Sequence, residues 1–139
     1  MTFTQLNKDW NADPNAPETS INVSGDTVTL DFYLNYFLFD NFKEGDKGQL
    51  TFYNCHKYYF GGPNDEGYYR GQHRYKYTDL PFGEFYVLKT DWKNDFPTNS
   101  RVLNPDLNVN DLKHFMFFFK KNTFECVATD YKIKLAESK

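Results

Sequence analysis

The feature that most constrains the fold is a pair of apolar stretches between His114 and Leu135, which read HFMFFFK and TFECVATDYKIKL. The first stretch is too aromatic and too short for a surface helix, and the second is rich in β-branched and aromatic residues. Lys120-Lys121-Asn122 lies between them and is typical of a turn. The sequence therefore predicts an antiparallel hairpin of strands 114–120 and 123–135, on which the other segments lie.

The second arm of this hairpin changes the side that carries its apolar residues. The apolar positions are even-numbered at first and odd-numbered later: Phe124, Cys126 and Ala128, then Tyr131, Ile133 and Leu135. Side chains of a strand alternate with a period of two, so the chain cannot skip a residue without turning over. We predict a β-bulge or a strong bend at Thr129 and Asp130.

Three further strands are predicted, at 27–39, 49–60 and 84–91. The first alternates between apolar and polar residues from Val28 to Leu38, and the fifteen Phe and eleven Tyr of the chain favour strands over helices. We expect an all-β fold with at most one or two short helices, in which a twisted antiparallel sheet forms an open barrel or a two-layer sandwich. The predicted core consists of Leu30, Phe32, Leu34, Phe52, Phe85, Val87, Phe115, Phe117, Phe124 and Cys126.

Turns are predicted where small and polar residues cluster. Ser24-Gly25-Asp26 is one, and the segment 43–49 is another, with Gly45 and Gly48 supplying left-handed conformations. Asn104-Pro105-Asp106 is either a turn or the cap of a short helical turn that reaches Leu112.

The length of 139 residues fits one domain. Residues 1–20 contain two prolines and scattered apolar positions, which predicts a loosely structured N-terminal arm whose Trp10 docks on the body. Residues 21–139 form the expected single β-rich domain.

Charge and cysteine usage limit the classes of partner. A net charge of -3 gives no general attraction to nucleic acid or to an anionic membrane. Cys55 and Cys126 lie in predicted strands outside any CxxC or Cys/His spacing, so we expect buried free thiols. We expect a cytoplasmic protein without a membrane partner, because no signal-peptide pattern is visible and no apolar run approaches the ~20 residues of a membrane helix. The sequence predicts no cofactor and leaves the oligomeric state open.

The first candidate cluster consists of His56 and three residues of the longest polar stretch, 61–83. Two imidazoles and two carboxylates suit a divalent metal or a general acid/base pair. Their spacing matches no metal motif, a histidine such as His56 is commonly a satisfied core or edge residue, and the two acids suit a turn. The four residues are His56, Asp65, Glu66 and His73.

The same stretch contains the tract YYRGQHRYKY, in which rings alternate with basic groups. Tyrosine and arginine dominate protein interfaces, and the same combination suits single-stranded nucleic acid, phosphates or a plain solvated loop. Long loops in compact domains are often functional. The candidate partner- or ligand-binding residues of this tract are Tyr68, Tyr69, Arg70, His73, Arg74 and Tyr75.

Two carboxylates inside predicted strands, Glu84 and Glu125, form the third candidate. Paired acids can flank a sugar ring, but each of these is expected on the solvent side of its strand or paired with a lysine. The chain contains no nucleophile elbow, P-loop, dinucleotide fingerprint or HExxH, so no residue is predicted to be catalytic.

The segments GGPNDEG, GEFY and HFMFFFKKNTFECVA, which includes TFECVA, together resemble a pattern of small uncharacterised bacterial proteins. The resemblance covers about 30–133 and implies no reaction, cofactor or catalytic residue. In size and style the chain is also similar to cytoplasmic immunity proteins that accompany secreted toxins.

These observations favour a non-catalytic cytoplasmic protein-binding module, of immunity or inhibitor type, acting on a toxin or enzyme partner through the 61–77 loop. The first alternative is a small-ligand or sugar-processing enzyme that uses Glu66 or Glu125 with His56 or His73. The second is a single-stranded nucleic-acid binder, which the negative charge disfavours.

Overall fold

Antiparallel strands dominate the fold. The structure is a computed structural model that describes residues 2–65, 67 and 80–136. Its single eight-stranded sheet has the order β1-β5-β7-β8-β4-β3-β2, with β6 added to β4, and it is not closed. The predicted all-β class with a twisted open sheet is therefore confirmed. The strands are β1 Thr2–Gln5, β2 Ser20–Ser24, β3 Thr27–Tyr33, β4 Lys47–Gly61, β5 Phe85–Lys89, β6 Arg101–Val102, β7 Lys113–Phe118 and β8 Thr123–Leu135.

The aromatic hairpin lies at the centre of this sheet. β7 and β8 pair from Lys113↔Ala128 to Phe118↔Thr123, and the Phe119 N–H donates to the Asn122 carbonyl at 2.8 Å to close the turn. The predicted strands and turn are confirmed. β8 continues along β4 as far as Leu135, so β7 and β4 flank it on its two edges.

One side of the sheet encloses the main core. Ring centroids of Phe32 and Phe117 lie 5.4 Å apart and those of Phe52 and Phe85 lie 6.0 Å apart, although two strands separate each pair in the sheet order. The sheet therefore curls strongly towards this side. Every predicted core residue is buried except Val87, which is half-buried.

The outer side of the sheet is also covered around the hairpin. Tyr86 and Phe118 pack against Leu80 and Phe82, while Val127 packs against a second cluster. That second cluster belongs to the β5–β7 connection, which contains the short helix α1 Trp92–Asp95 and a 3₁₀ turn Val109–Asp111. Its apolar members are Trp92, Phe96, Leu107 and Leu112.

The first long strand is shorter than the alternation predicts, so the expected range 27–39 is wrong at its end. β3 stops at Tyr33, and Leu34 makes an isolated bridge to Ala12. The Asn35 side-chain oxygen then accepts a hydrogen bond from the Leu38 N–H at 3.1 Å, which turns the chain and leaves Leu38 70% exposed. A side chain that hydrogen-bonds to nearby backbone groups competes with the hydrogen bonds between strands.

The apolar side of β8 does change between Ala128 and Tyr131, since both residues pack in the main core. The predicted position is right for a bend and wrong for a bulge, because the register shift lies in β4 between Cys55 and Lys57. Opposite Thr129, Asn54 adopts a positive φ of 50°. The irregular backbone therefore belongs to β4, and β8 follows it.

Two of the three glycines predicted in turns have positive φ, namely Gly25 at 61° and Gly45 at 92°. The prediction for Gly48 is wrong, because this residue lies in β4 and pairs with Phe32. A Cβ atom built on Gly48 would lie 2.8 Å from the ring of Phe32. Glycine is needed there for close approach rather than for backbone freedom.

The N-terminal segment is more regular than a loose arm. β1 pairs with β5, and the Leu6 N–H donates to the Phe85 carbonyl at 2.8 Å. Trp10 is buried as expected, against the rings of Phe32, Phe85 and Phe117.

Both cysteines are free and buried, as predicted, and burial raises the pKa of the Cys126 thiol. No helix of the described residues is long and apolar enough to cross a membrane.

Candidate functional site

A chain of three polar side chains crosses the covered outer side of the sheet. Glu125 of β8 and His114 of β7 are diagonal neighbours in the ladder, since Glu125 pairs with Met116 and His114 with Val127. The imidazole Nε2 lies 2.8 Å from the Glu125 Oε1 atom, and Nδ1 lies 2.7 Å from the Thr90 hydroxyl. The ring therefore has a hydroxyl at one nitrogen and a carboxylate at the other.

The sheet positions these groups through regular pairing. Leu88 of β5 pairs with His114, and Thr90 follows Leu88 by two residues, just beyond the end of the strand. Phe96 packs its ring 5.4 Å from the imidazole, centroid to centroid. The imidazole is thus fixed between the two strands and the β5–β7 connection.

Burial determines how the hydrogen bonds run. His114 and Glu125 are each 1% exposed, so the contact between them lies in a region of low dielectric. An ionised carboxylate can only accept hydrogen bonds, so a neutral ring beside it carries its proton on Nε2. Nδ1 is then the acceptor for the hydroxyl proton of Thr90.

The half-buried Thr90 faces an open groove of about 900 Å³. β1, the end of β5, α1 and the start of β7 form its walls, and His114 also contributes to the lining. Apolar side chains provide much of the surface, and two lysines and two aspartates add charges of both signs. These residues are Phe3, Val87, Leu88, Trp92 and Leu112, with Lys89, Lys113, Asp91 and Asp95.

Two predicted cluster members, His56 and Asp65, contact different parts of the fold. His56 lies in the β4 bulge, where its Nδ1 is 2.8 Å from the Asn104 carbonyl and its ring faces Trp92. Asp65 makes an ion pair of 3.1 Å with Lys120 of the hairpin turn. The described residues contain no group of three metal-binding side chains.

The rest of the predicted binding tract lies outside the described residues. This applies to Glu66, Tyr68, Tyr69, Arg70, His73, Arg74 and Tyr75.

The described residues on either side of the tract contact the central hairpin. On the N-terminal side, the Thr123 hydroxyl donates to the Pro63 carbonyl at 2.9 Å, and the Asp65 N–H donates to the Lys120 carbonyl at 2.9 Å. On the C-terminal side, the ring of Phe82 lies 5.0 Å from that of Phe118. The hairpin therefore contacts the described residues on both sides of the tract.

The two strand carboxylates have different described partners, and neither points freely into solvent. Glu125 contacts His114, while Glu84 accepts hydrogen bonds from the side-chain amides of Gln5, Asn7 and Asn11. Partial burial raises the pKa of Glu84, and the hydrogen bond from Asn7 opposes that rise. Glu84 thus holds the N-terminal segment against β5.

Comparison with known proteins adds no relative. No family model, curated protein or solved structure matches this chain. The function must therefore be argued from the residues and their geometry.

Sequence reasoning missed His114 and Thr90. A signal for His114 was present, because it alternates with Met116 and Phe118 on the side of β7 opposite Phe115 and Phe117. A histidine among such apolar neighbours needs a partner, and Glu125 is the charged residue at the matching parity of the β8 segment that pairs with β7. Nothing in the sequence marked Thr90.

Proposed function

We propose that the protein is a cytoplasmic protein-binding module, of immunity or inhibitor type, that contacts a toxin or enzyme partner through the 61–77 segment. The observation that carries this proposal is the contact of the described residues on either side of the Tyr/Arg tract with the central hairpin. Thr123 and Lys120 contact the beginning of the 61–77 segment, and Phe118 packs against Phe82 beyond its end.

These contacts matter because flanking residues that are already held in place have less conformational freedom to lose on binding than the ends of a free chain. The hairpin scaffold is tightly packed, since Phe117, Phe118 and Phe119 are each no more than 1% exposed. Tyrosine and arginine carry much of the binding energy at protein interfaces. The tract between the flanking contacts contributes both types of residue.

The test is a triple variant in which Tyr69, Arg70 and Arg74 are replaced by alanine. We expect it to lose a partner that the wild type captures from lysate of the native host, with a melting temperature nearly unchanged. The captured protein is identified by mass spectrometry and then purified. Its affinity for the wild type and the variant is measured by calorimetry.

A matched control removes one tyrosine and two basic residues elsewhere. Tyr53, Lys132 and Lys134 are exposed side chains of β4 and β8, and their replacement by alanine should leave affinity for the purified partner unchanged. Equal affinity of the wild type and the Tyr69/Arg70/Arg74 variant would remove the proposal.

A second candidate function is an enzyme acting on a small ligand, and one observation favours it. Glu125 is in contact with a histidine, although the histidine is His114 and not the predicted His56 or His73. A buried carboxylate that orients an imidazole is a common element of catalytic sites. Loss of a turnover activity on substituting His114, with the fold retained, would support this candidate.

A further inference from the structure

We propose that the groove beside β1 is an acyl-transfer site in which the Thr90 hydroxyl is the nucleophile. This inference rests on the second candidate function and is independent of the partner-binding proposal. It assigns the hydroxyl, imidazole and carboxylate of Thr90, His114 and Glu125 the roles of nucleophile, base and orienting group.

The order of the three groups carries the inference. A weak hydroxyl nucleophile is activated by an adjacent base that a third group holds in position. The two distances of 2.7 and 2.8 Å satisfy that requirement at both ring nitrogens of His114. An ion pair with a purely structural role would involve only His114 and Glu125. Here the series of hydrogen bonds extends further, to the wall of the groove.

Burial of the pair strengthens this arrangement. The side chains of His114 and Glu125 are 0% and 1% exposed, so bulk water does not compete for the ring. With Nε2–H donated to the carboxylate, Nδ1 remains the acceptor for the Thr90 proton. Glu125 also stabilises the imidazolium that forms when this proton moves.

The chemical step is a balanced acyl transfer. The Thr90 oxygen forms a bond to the carbonyl carbon of an ester while its proton moves to Nδ1 of His114. The ester C–O bond then breaks, and the leaving alcohol takes that proton. Water attacks the resulting acyl-threonine by the same route, which releases a carboxylic acid and restores the hydroxyl.

The lining of the groove indicates the class of acyl group. Phe3, Leu88 and Trp92 present apolar surface next to Thr90, while the charges at the groove comprise two lysines and two aspartates. An uncharged apolar acyl group fits this surface without leaving a charge unpaired. The site therefore suits small esters with short apolar acyl chains.

The test uses p-nitrophenyl acetate and p-nitrophenyl butyrate as probes on the full chain. We expect release of p-nitrophenolate and an acetyl or butyryl adduct that peptide mass spectrometry places on Thr90. Thr90→Val removes the nucleophile with little change of shape and should lower the rate by roughly a hundredfold or more. Thr90→Ser keeps a hydroxyl and should retain both the adduct and the activity.

His114→Gln removes the base and should lower the rate comparably, in a sample whose circular dichroism matches the wild type. If that variant does not fold, the pair Thr90→Val and Thr90→Ser decides alone. Release that is equally fast in Thr90→Val but lost in His114→Gln would overturn the role of Thr90 and leave the second candidate function standing. No release and no adduct in the wild type would overturn the acyl-transfer inference, and the second candidate function would then need a different reaction.

Discussion

Asn54 donates its side-chain amide to the Thr129 hydroxyl at 3.1 Å, at the point where β4 and β8 both change the side that faces the main core. The same hydroxyl donates to the Tyr53 carbonyl at 3.1 Å. Phe52 and Tyr131 pair before this point and Cys55 and Ala128 after it, and all four pack in one core. This pair of residues therefore marks the bend that lets the sheet curl.

The positive φ of 50° at Asn54 makes this residue difficult to replace. Left-handed backbone costs about 1–2 kcal/mol for most residues, and Asn and Gly tolerate it best. We expect Asn54→Ala to lower the free energy of unfolding by about 1 kcal/mol and Asn54→Gly to lower it less. Urea denaturation measures both, and an Asn54→Gly variant that is the less stable of the two would contradict this account.

Close packing at Gly48 gives a second prediction. A Cβ atom there would lie 2.8 Å from the Phe32 ring and 3.1 Å from Leu34 Cδ2, and both neighbours are buried. We expect Gly48→Ala to destabilise the protein by about 1–3 kcal/mol, because overpacking forces the ring to shift. Gly62→Ala is the control, since nothing lies within 4 Å of its added Cβ. Similar unfolding midpoints for the two variants in urea would argue against the tight contact.

Trp10 connects the N-terminal segment to the core. Its ring centroid lies 5.8 Å from that of Phe32 and 5.9 Å from that of Phe117, and only 5% of the residue is exposed. Replacing a buried tryptophan by alanine costs about 3–5 kcal/mol, and we expect that loss for Trp10→Ala. Denaturant unfolding should show no such loss for Lys8→Ala, a nearby exposed position. A loss below about 1 kcal/mol for Trp10→Ala would mean that the segment is not part of the core.

The hairpin and the core could be predicted from the sequence because periodicity reports which residues share a face. The same rule failed at Leu38, where the pattern continues but the Asn35 side chain ends the strand. The same rule located the bend of β8 at Thr129 and Asp130 but not the bulge, since the register shift lies in the paired strand β4 between Cys55 and Lys57. Strand pairing depends on two segments, whereas the apolar pattern of one strand describes that strand alone.

The candidate site was largely beyond sequence reasoning for the same reason. Glu125 alternates with core residues, which places it on the opposite side of β8, and that side was expected to face solvent. In the structure, that side of β8 is covered by segments that are mostly polar in sequence and whose few apolar residues, such as Leu80 and Phe96, are buried. Thr90 and His114 meet only because β5 and β7 pair, although 24 positions separate them in sequence.

Glu84 gives a prediction about pH because the fold buries part of its carboxylate. Asn11 donates to Oε1 at 3.1 Å, Gln5 donates to Oε2 at 3.2 Å, and Asn7 also donates to Oε2. These amides keep the carboxylate hydrogen-bonded, but loss of hydration is the larger effect and raises the pKa of Glu84 above its ordinary value of 4.5. The folded state therefore holds this proton at a higher pH than the unfolded chain does.

Linkage then sets the sign of the effect on stability. The contribution of Glu84 is complete when both states are protonated, below the unfolded pKa near 4.5, and it is lost as pH rises through the higher folded pKa. Glu84→Gln cannot titrate, so the free energy of unfolding of the wild type minus that of the variant should fall as the pH rises above about 4.5. Urea denaturation at half-unit pH steps measures this difference. A difference that rises with pH would mean that the three amides outweigh burial and lower the pKa of Glu84.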